Sequence, residues 1–594
     1  MATINVERYR VNTDVSPIEG TNEYPKRTDS ETIQAAVDKL SDGDTLVFNK
    51  KVETYDKDGN LVYDENGNLV YDTTYVLDKP IHLTSYKRYV DDEGNVTETG
   101  KTRNRITFNG NGCTIKNSPN FSKYTNSHVR AVRKEVNDEI VYENVSVDIN
   151  LDTLFVTSDI MDNHLSNVCF KNFIFESVKI TDDSYEHPDN GIEKDYPFRY
   201  TTAIGIGPSN PGNNWTYHYL HNSKISNCEF NYFHNGIELG GENNTIEDCK
   251  FTSCTTGVFC DCPDQAYIHH NHFFVSEWCG LNLTKSYRAF VCNNYFYHCM
   301  NFCIRASGPF AKEKDGKTMS LSVCSNTFVG GNVDRHTRNQ TGIFFSGIKD
   351  AIIKDNFIYN MLYLAEKEEG NDGSADTSQW FGTGIWLDGA SDDTLGYRSC
   401  ERCIISGNDI AGCMRYSIRV NKSASCTVSG NSIHSGTNGA GEDYGIYIEN
   451  KAGDLHISDN ALYYFEEGKF MRLPDTNINA ENNTYYNKNG KFDPLSPERY
   501  IRTHVSYMDP STICIPKLSV PLDTGDEFEM LVPYDYSASI VTSITYEGLT
   551  GTVYNSGLPY LIPSTKAGTY IKLSYTYGQS ANSGEKYIRF TVVE

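Results

Sequence analysis

Nowhere in its 594 residues does the chain hold 18 consecutive apolar residues, so it offers no candidate transmembrane helix. The N-terminus, Met1-Ala-Thr-Ile-Asn-Val-Glu-Arg8, lacks the basic and apolar regions of a secretory signal; a trimmed start or release by cell lysis is the expectation. Cations are in deficit: 53 Lys and Arg against 78 Asp and Glu leave a net charge of −25. That balance argues against nucleic acid and anionic membrane surfaces as partners, and would repel a densely anionic glycan unless basic residues gather locally. Metal signatures are also missing. Cys400-Glu-Arg-Cys403 has no second pair, Asp56-x-Asp58-x-Asn60 lacks the later Glu of a calcium loop, and strand alternation would split His269, His270 and His272 between faces. No metal and no cofactor are expected. Most of the 17 cysteines fall inside or beside the repeats described next, where thiols serve as small buried apolar groups.

What the chain does have is a repeated phrase: a β-branched residue, mostly polar residues ending in Asn or Cys, one more residue, then a large apolar one. It reads Ile225-Ser-Asn-Cys228-Glu-Phe230, Ile246-Glu-Asp-Cys249-Lys-Phe251, Ile268-His-His-Asn271-His-Phe273 and Val291-Cys-Asn-Asn294-Tyr-Phe296. It continues through Asn326, Asn356, Asn408, Asn431 and Asn460 to a degenerate copy at Asn483, and Cys169-Phe-Lys-Asn172-Phe-Ile174 is an outlying copy. Most intervals are 21 to 32 residues, the range of stacked repeats. A second phrase, mostly Gly-apolar-variable-apolar, lies in each period: Gly236-Ile-Glu-Leu239, Gly257-Val-Phe-Cys260, Gly280-Leu-Asn-Leu283, Gly342-Ile-Phe-Phe345, Gly384-Ile-Trp-Leu387 and Gly445-Ile-Tyr-Ile448. Such alternation marks short strands with one buried face, and no period holds an apolar stripe long enough for a helix. The expected fold is all-β, a right-handed parallel β-helix in which each period is one rung. The Asn column is expected at tight corners, where Asn tolerates left-handed backbone and its amide bonds to the next rung.

Residues 1–25 are polar and expected to form an arm. Thr28-Asp-Ser-Glu31 has the capping-box form and precedes a short amphipathic helix that would cap the open end of the solenoid. The near-duplicates Asp58-Gly-Asn-Leu-Val-Tyr-Asp64 and Asn66-Gly-Asn-Leu-Val-Tyr-Asp72 signal tight hairpins, as does Asp91-Asp-Glu-Gly-Asn95. The β-helix is expected over 26–500 and a β-sandwich, capping or oligomerising, over 501–594. The interval between Asn356 and Asn408 is 52 residues, and its insertion at 361–383, with Glu366, Glu368, Glu369, Asp372, Asp376 and Trp380, would wall a groove.

Thr28-Asp-Ser-Glu-Thr-Ile-Gln-Ala-Ala-Val-Asp38, followed by Gly43-Asp-Thr-Leu-Val-Phe48 and the train of Asn rungs, resembles the pectate-lyase-like β-helices. Within them the chain looks most like bacteriophage tailspike or tail-appendage polysaccharide depolymerases. The resemblance implies a homotrimer on a virion tail, beside other tail proteins, binding and cutting a bacterial surface polysaccharide. Gly384-Ile-Trp-Leu-Asp388 echoes a pectate-lyase strand but continues with Gly389 where that family carries His, and polygalacturonase motifs are absent.

Placing the rungs in register gives an outward column of Gly205, Glu238, Phe259, Asn282, Arg305, Phe344, Trp386, Arg419, Tyr447 and Arg472. Two residues on lies a second: Gly240, Asp261, Thr284, Ser307, Ser346, Asp388, Asn421 and Glu449. Aromatic rings cover the apolar faces of sugars while Arg and Asn satisfy their hydroxyls or carboxylates, so Trp386, Arg419, Tyr447, Arg305, Phe344, Asn282 and Trp380 are candidate substrate-binding residues. Hydrolysis needs two carboxyls, about 5 Å apart for retention and about 6.5–9.5 Å for inversion. At about 4.8 Å per rung, Asp388 and Glu449 stand roughly 9.6 Å apart, and Glu238 and Asp261 roughly 8 Å. Both pairs suit inversion; Asp388 and Glu449 rank first because Trp386, Arg419, Tyr447 and the long insertion surround them. Two alternatives remain open: a lyase with Tyr447 or Arg419 as base and Arg305 neutralising a uronate, and a glycan-binding appendage without catalysis.

Overall fold

The computed structural model describes residues 1–83, 87–90, 96–99, 104–118, 121, 124–136, 139–151, 153–156, 165–177, 201–205, 220–308, 320–331, 340–361, 382–389, 399–435, 444–449, 454–465, 471–472, 478–487, 501–503, 506–509, 512–514, 527–532, 543–546, 549–556, 558–566, 569–579 and 586–593. The chain is a right-handed parallel β-helix, and it divides into two compact units, Met1–Cys299 and Met300–Glu594.

In the first unit the helix Asp29–Asp38 starts on the expected capping box: the Thr28 hydroxyl accepts from the Glu31 amide, and the Glu31 carboxylate accepts from the Thr28 amide. Its Ile33, Ala36 and Val37 are wholly buried and close the apolar end of the first rungs. Residues expected in the arm are partly built into this cap. Thr3–Asn5 pairs in parallel with Thr45–Val47, Val6 is buried, and Arg10 bonds Asp29. The duplicated hairpin segment forms two equivalent turns, in which Asp56 accepts from the amides of Asp58 and Asn60, and Asp64 from those of Asn66 and Asn68. Lys87–Val90 and Val96–Thr99 pair antiparallel as the expected hairpin around 91–95. A longer ribbon, Tyr124–Val136 against Glu139–Leu151, has no counterpart in the repeat pattern.

Rungs of this unit stack like on like. Phe175, Phe230, Phe251, Phe273 and Phe296 form one column with ring centroids 5.1, 4.9, 4.8 and 4.6 Å apart and nearly parallel planes. Identical side chains reuse one rotamer and one contact at every step, so the core extends without new packing solutions. The glycine opening the second phrase has a steric cause: a Cβ at Gly257 would stand 2.7 Å from the Gly280 carbonyl oxygen of the next rung. The outlying copy is offset by one residue. Phe170 pairs with Ile225 and Phe175 with Phe230, so Asn172 stands opposite Asn227 and Phe173 takes the ladder slot.

The second unit carries the same rungs and shows what the Asn column does. Asn326, Asn356, Asn408, Asn431 and Asn460 are buried, and each side-chain amide donates to the next Asn side-chain oxygen, at 3.0, 2.9, 2.9, 2.8 and 2.9 Å down to Asn483. That oxygen also accepts the backbone N–H of the Asn above. The left-handed corner lies one residue earlier, at Ser325, Asp355 and Asp459 with φ of 55°, 54° and 56°, and at Gly407 and Gly430. Two jobs expected of one Asn are therefore split between neighbours: an exposed residue turns the chain and the buried Asn bonds the rungs. The 52-residue interval spans a single rung, because Phe357–Tyr359 pairs directly with Asp409–Cys413. Beyond residue 500 a separate sheet of short strands packs on its own core of Met530, Val532, Ile544, Val553, Ile562, Leu573 and Phe590.

Thiols stay free among the described residues, as their places in the rung phrases suggest. Cys249 and Cys403 donate to backbone carbonyls, and burial or neighbouring thiols push both well above the ordinary thiol range. At the His cluster, alternation fails because His270 is itself a left-handed corner with φ 56°. The His269 and His270 rings meet at 2.9 Å between Nδ1 atoms, and no metal-holding group of side chains occurs among the described residues.

Candidate active site

The register places both predicted columns. In the first unit Gly205, Glu238, Phe259 and Asn282 pair in sequence, and so do Gly240, Asp261 and Thr284. Glu238 accepts a bond from the Asn235 amide at 3.3 Å, and Asn282 is buried. The Asp261 side chain lies outside the described atoms, so the second carboxylate pair is located only by its backbone.

In the second unit Arg305, Phe344, Trp386, Arg419, Tyr447 and Arg472 follow one another rung by rung. Ser307, Ser346, Asp388 and Asn421 run beside them, with Glu449 continuing where its amide bonds the Val420 carbonyl. Trp380 and the insertion acids lie outside the described residues.

In the middle of this column Phe344, Trp386 and Arg419 are closed onto one another rather than spread toward solvent. Phe344 packs on Trp386 at 4.5 Å, and the Arg419 guanidinium stands 4.7 Å over the Trp386 ring and 5.3 Å from that of Tyr416. Trp386 is 2% and Arg419 4% exposed. The sequence reading missed the contributors of a third column, Phe302, Thr341, Thr383, Tyr416 and Tyr444, which runs in register three residues before the first. Phe302 packs on Phe344, and Tyr416 contacts both Tyr444 and Tyr447, so these rings cover what alternation alone would leave outward. A signal was present: the residue immediately before the second phrase is aromatic at 302, 416 and 444.

Two half-buried carboxyls border this stack, and their surroundings differ. Burial pushes the Asp388 carboxyl above the usual carboxylate range and Glu449 pushes it further, while Asn421, Arg419 and Lys422 pull it back. Asn421 donates its amide to Asp388 Oδ1 at 2.8 Å. Glu449 instead receives two N–H groups of Arg419 on one oxygen, Nε at 3.1 Å and a terminal nitrogen. Behind them the Cys400 thiol donates to the Asp388 carbonyl at 3.3 Å, and burial pushes the Tyr416 phenol up to about 12. Two carboxyls two rungs apart, one biased toward its protonated form and one ion-paired, are an unequal pair of the kind acid–base chemistry uses.

Comparison with known proteins adds likeness without a family assignment. The family described as periplasmic copper-binding protein (NosD) matches residues 176–397. Among solved structures, the tailspike protein of E. coli bacteriophage HK620 in complex with pentasaccharide superposes with a TM-score of 0.44 at 12% identity, covering 82% of this chain and 79% of that one. A mutant of the same tailspike with hexasaccharide gives 0.41 at 11% identity, over 82% of this chain and 78% of that one. A search of curated protein sequences finds no match.

Proposed function

We propose that the protein is a glycoside hydrolase that binds and cleaves a bacterial surface polysaccharide, with Asp388 as general acid and Glu449 as general base. The observation that carries this reading is the inequality of the two carboxyls: burial favours the protonated form of Asp388, and Arg419 pairs with Glu449. A glycan lies with its scissile bond between them. Glu449 takes a proton from water as the water oxygen bonds the anomeric carbon. The glycosidic C–O bond breaks with its electron pair going to the leaving oxygen, which receives the Asp388 proton. A separation of roughly 9.6 Å, two rungs of about 4.8 Å, leaves room for that water and predicts inversion. Tyr444 and Tyr447, on the strand that leads to Glu449, supply ring surface for the sugar.

A homotrimer on a phage tail, beside other tail proteins, belongs to the same proposal. It is supported by apolar side chains aligned on an outward strand face, Ile352 in register with Ile404, each 41% exposed. Incubation with a panel of capsular and O-antigen polysaccharides, followed by mass spectrometry and anomer-resolved NMR, tests the reading. Saturated fragments with inverted anomeric configuration are expected, and Asp388→Asn abolishes them. Unsaturated fragments would establish a lyase, and tight binding with unchanged chain length a receptor-binding appendage; either refutes hydrolysis.

A further inference from the structure

Arg419 stood among the candidate sugar-binding residues, yet its surroundings give it a different task. Its guanidinium is buried, lies within cation–π reach of the rings of both Trp386 and Tyr416, and directs two N–H groups at a single oxygen of Glu449. A planar guanidinium held over a ring face cannot swing, because rotation would break both the cation–π contact and the paired hydrogen bonds. We propose that Arg419 is a positioning residue: clamped by Trp386 and Tyr416, it fixes the Glu449 carboxylate in the orientation that serves as base and holds it away from Asp388. This rests on the hydrolase reading.

The arrangement around it fits that role. Arg419 and Asn421 project from the same strand, Tyr416–Asn421, and serve opposite partners, since Arg419 binds Glu449 one rung on and Asn421 binds Asp388 one rung back. One strand thus supplies a charged donor to one carboxyl and a neutral donor to the other. Among the described residues, the charged and titratable groups around the pair are Arg419, Lys422, Tyr416 and the Cys400 thiol, with each carboxyl facing the other. The aromatic contacts continue through Phe344 and Phe302, so the guanidinium sits against a packed stack rather than on a mobile stem.

The test has two arms. In folded protein, carbodiimide-driven amidation with glycine ethyl ester, mapped by peptide mass spectrometry, reads whether Glu449 is held. Arg419→Gln is expected to raise Glu449 labelling about tenfold, in line with loss of a charge-assisted bond, with a smaller change at Asp388; unchanged Glu449 labelling would overturn the proposal. On the polysaccharide that the wild type cleaves, Arg419→Gln is expected to lower kcat about 100-fold, the scale of a general base, with KM within about threefold. Arg419→Lys, which keeps the charge but loses the fork, falls between. A raised KM with unchanged kcat would make Arg419 a sugar ligand and overturn positioning. Should Arg419→Gln not fold, Arg419→Lys carries both arms at reduced amplitude. If no glycan is cleaved the hydrolase reading fails, while the labelling arm still decides whether Arg419 holds Glu449.

Discussion

Replacing Asn408 by alanine tests whether the amide ladder bonds the rungs or merely occupies a corner. The Asn408 amide donates to the Ile353 carbonyl at 3.0 Å, the Ser406 carbonyl at 3.2 Å and Asn431 Oδ1 at 2.9 Å. Its oxygen accepts the Asn356 backbone N–H at 3.1 Å and the Asn356 side-chain amide at 2.9 Å. After truncation Asn431 Oδ1 keeps the Asn408 backbone N–H, and the Asn356 amide keeps the Val323 carbonyl. The Asn356 backbone N–H loses the partner that this oxygen supplied, inside the core. A stranded buried donor costs about 1–3 kcal/mol and each lost bond about 0.5–1.5 kcal/mol net, so about 3–5 kcal/mol is expected. Solenoids unfold by regions, so the assay is hydrogen exchange of peptides spanning residues 353–358 and 405–410. Protection there should fall by about a hundred- to several-thousand-fold, with distant rungs unaffected. Asp355→Gly, at the exposed left-handed corner with φ 54°, should change it by less than about threefold. A drop under about tenfold for Asn408→Ala, which is about 1.4 kcal/mol, would refute the ladder as a structural bond.

Asp388 carries a paired expectation. Its folded-state carboxyl titrates above its unfolded value, so the native state binds the extra proton between the two, and stability falls as pH rises through that window. Asp388→Asn should therefore raise Tm slightly at pH 7, with the gain vanishing below the ordinary carboxylate range, while wild-type activity is lost as pH rises through the Asp388 pKa. Gly384→Ala places a Cβ 2.6 Å from the Ser417 carbonyl oxygen and 3.1 Å from Cys413 Sγ, so about 1–3 kcal/mol of destabilisation should appear by thermal unfolding. Thr28→Ala removes half of a formed capping box and should cost about 1 kcal/mol, read as faster exchange in residues 29–34. Thiols such as Cys249, Cys254, Cys403 and Cys426 should resist a maleimide until the chain is denatured, because burial closes access to them.

Much of this molecule is legible in one dimension. The period, the parallel stacking, the cap from Thr28 to Asp38 and the membership and order of both columns follow from alternation and turn chemistry, because each rung contacts only its neighbours and repeats one local solution. The register errors are equally local. Asn172 looks like a ladder residue because Cys169-Phe-Lys-Asn172-Phe-Ile174 fits the phrase one residue out of step, and only strand pairing shows Phe173 in that slot. The ribbon Tyr124–Val136 with Glu139–Leu151 was passed over because it interrupts the repeat instead of joining it.

Sequence by itself determined which residues stand in line, since a two-residue side-chain period and a fixed rung leave little choice of face. Tertiary structure alone decided what they do there. Alternation assigns Trp386 and Arg419 to the outward side, but Phe344 and the Arg419 guanidinium pack on the Trp386 ring and Tyr416, three residues upstream, packs beside Arg419, so both side chains are buried. Likewise nothing in the spelling of Asp388 and Glu449 separates the two carboxyls. The separation arises because one carboxyl is desolvated beside a neutral amide and the other meets a guanidinium, contacts made between strands that lie about thirty residues apart in the chain.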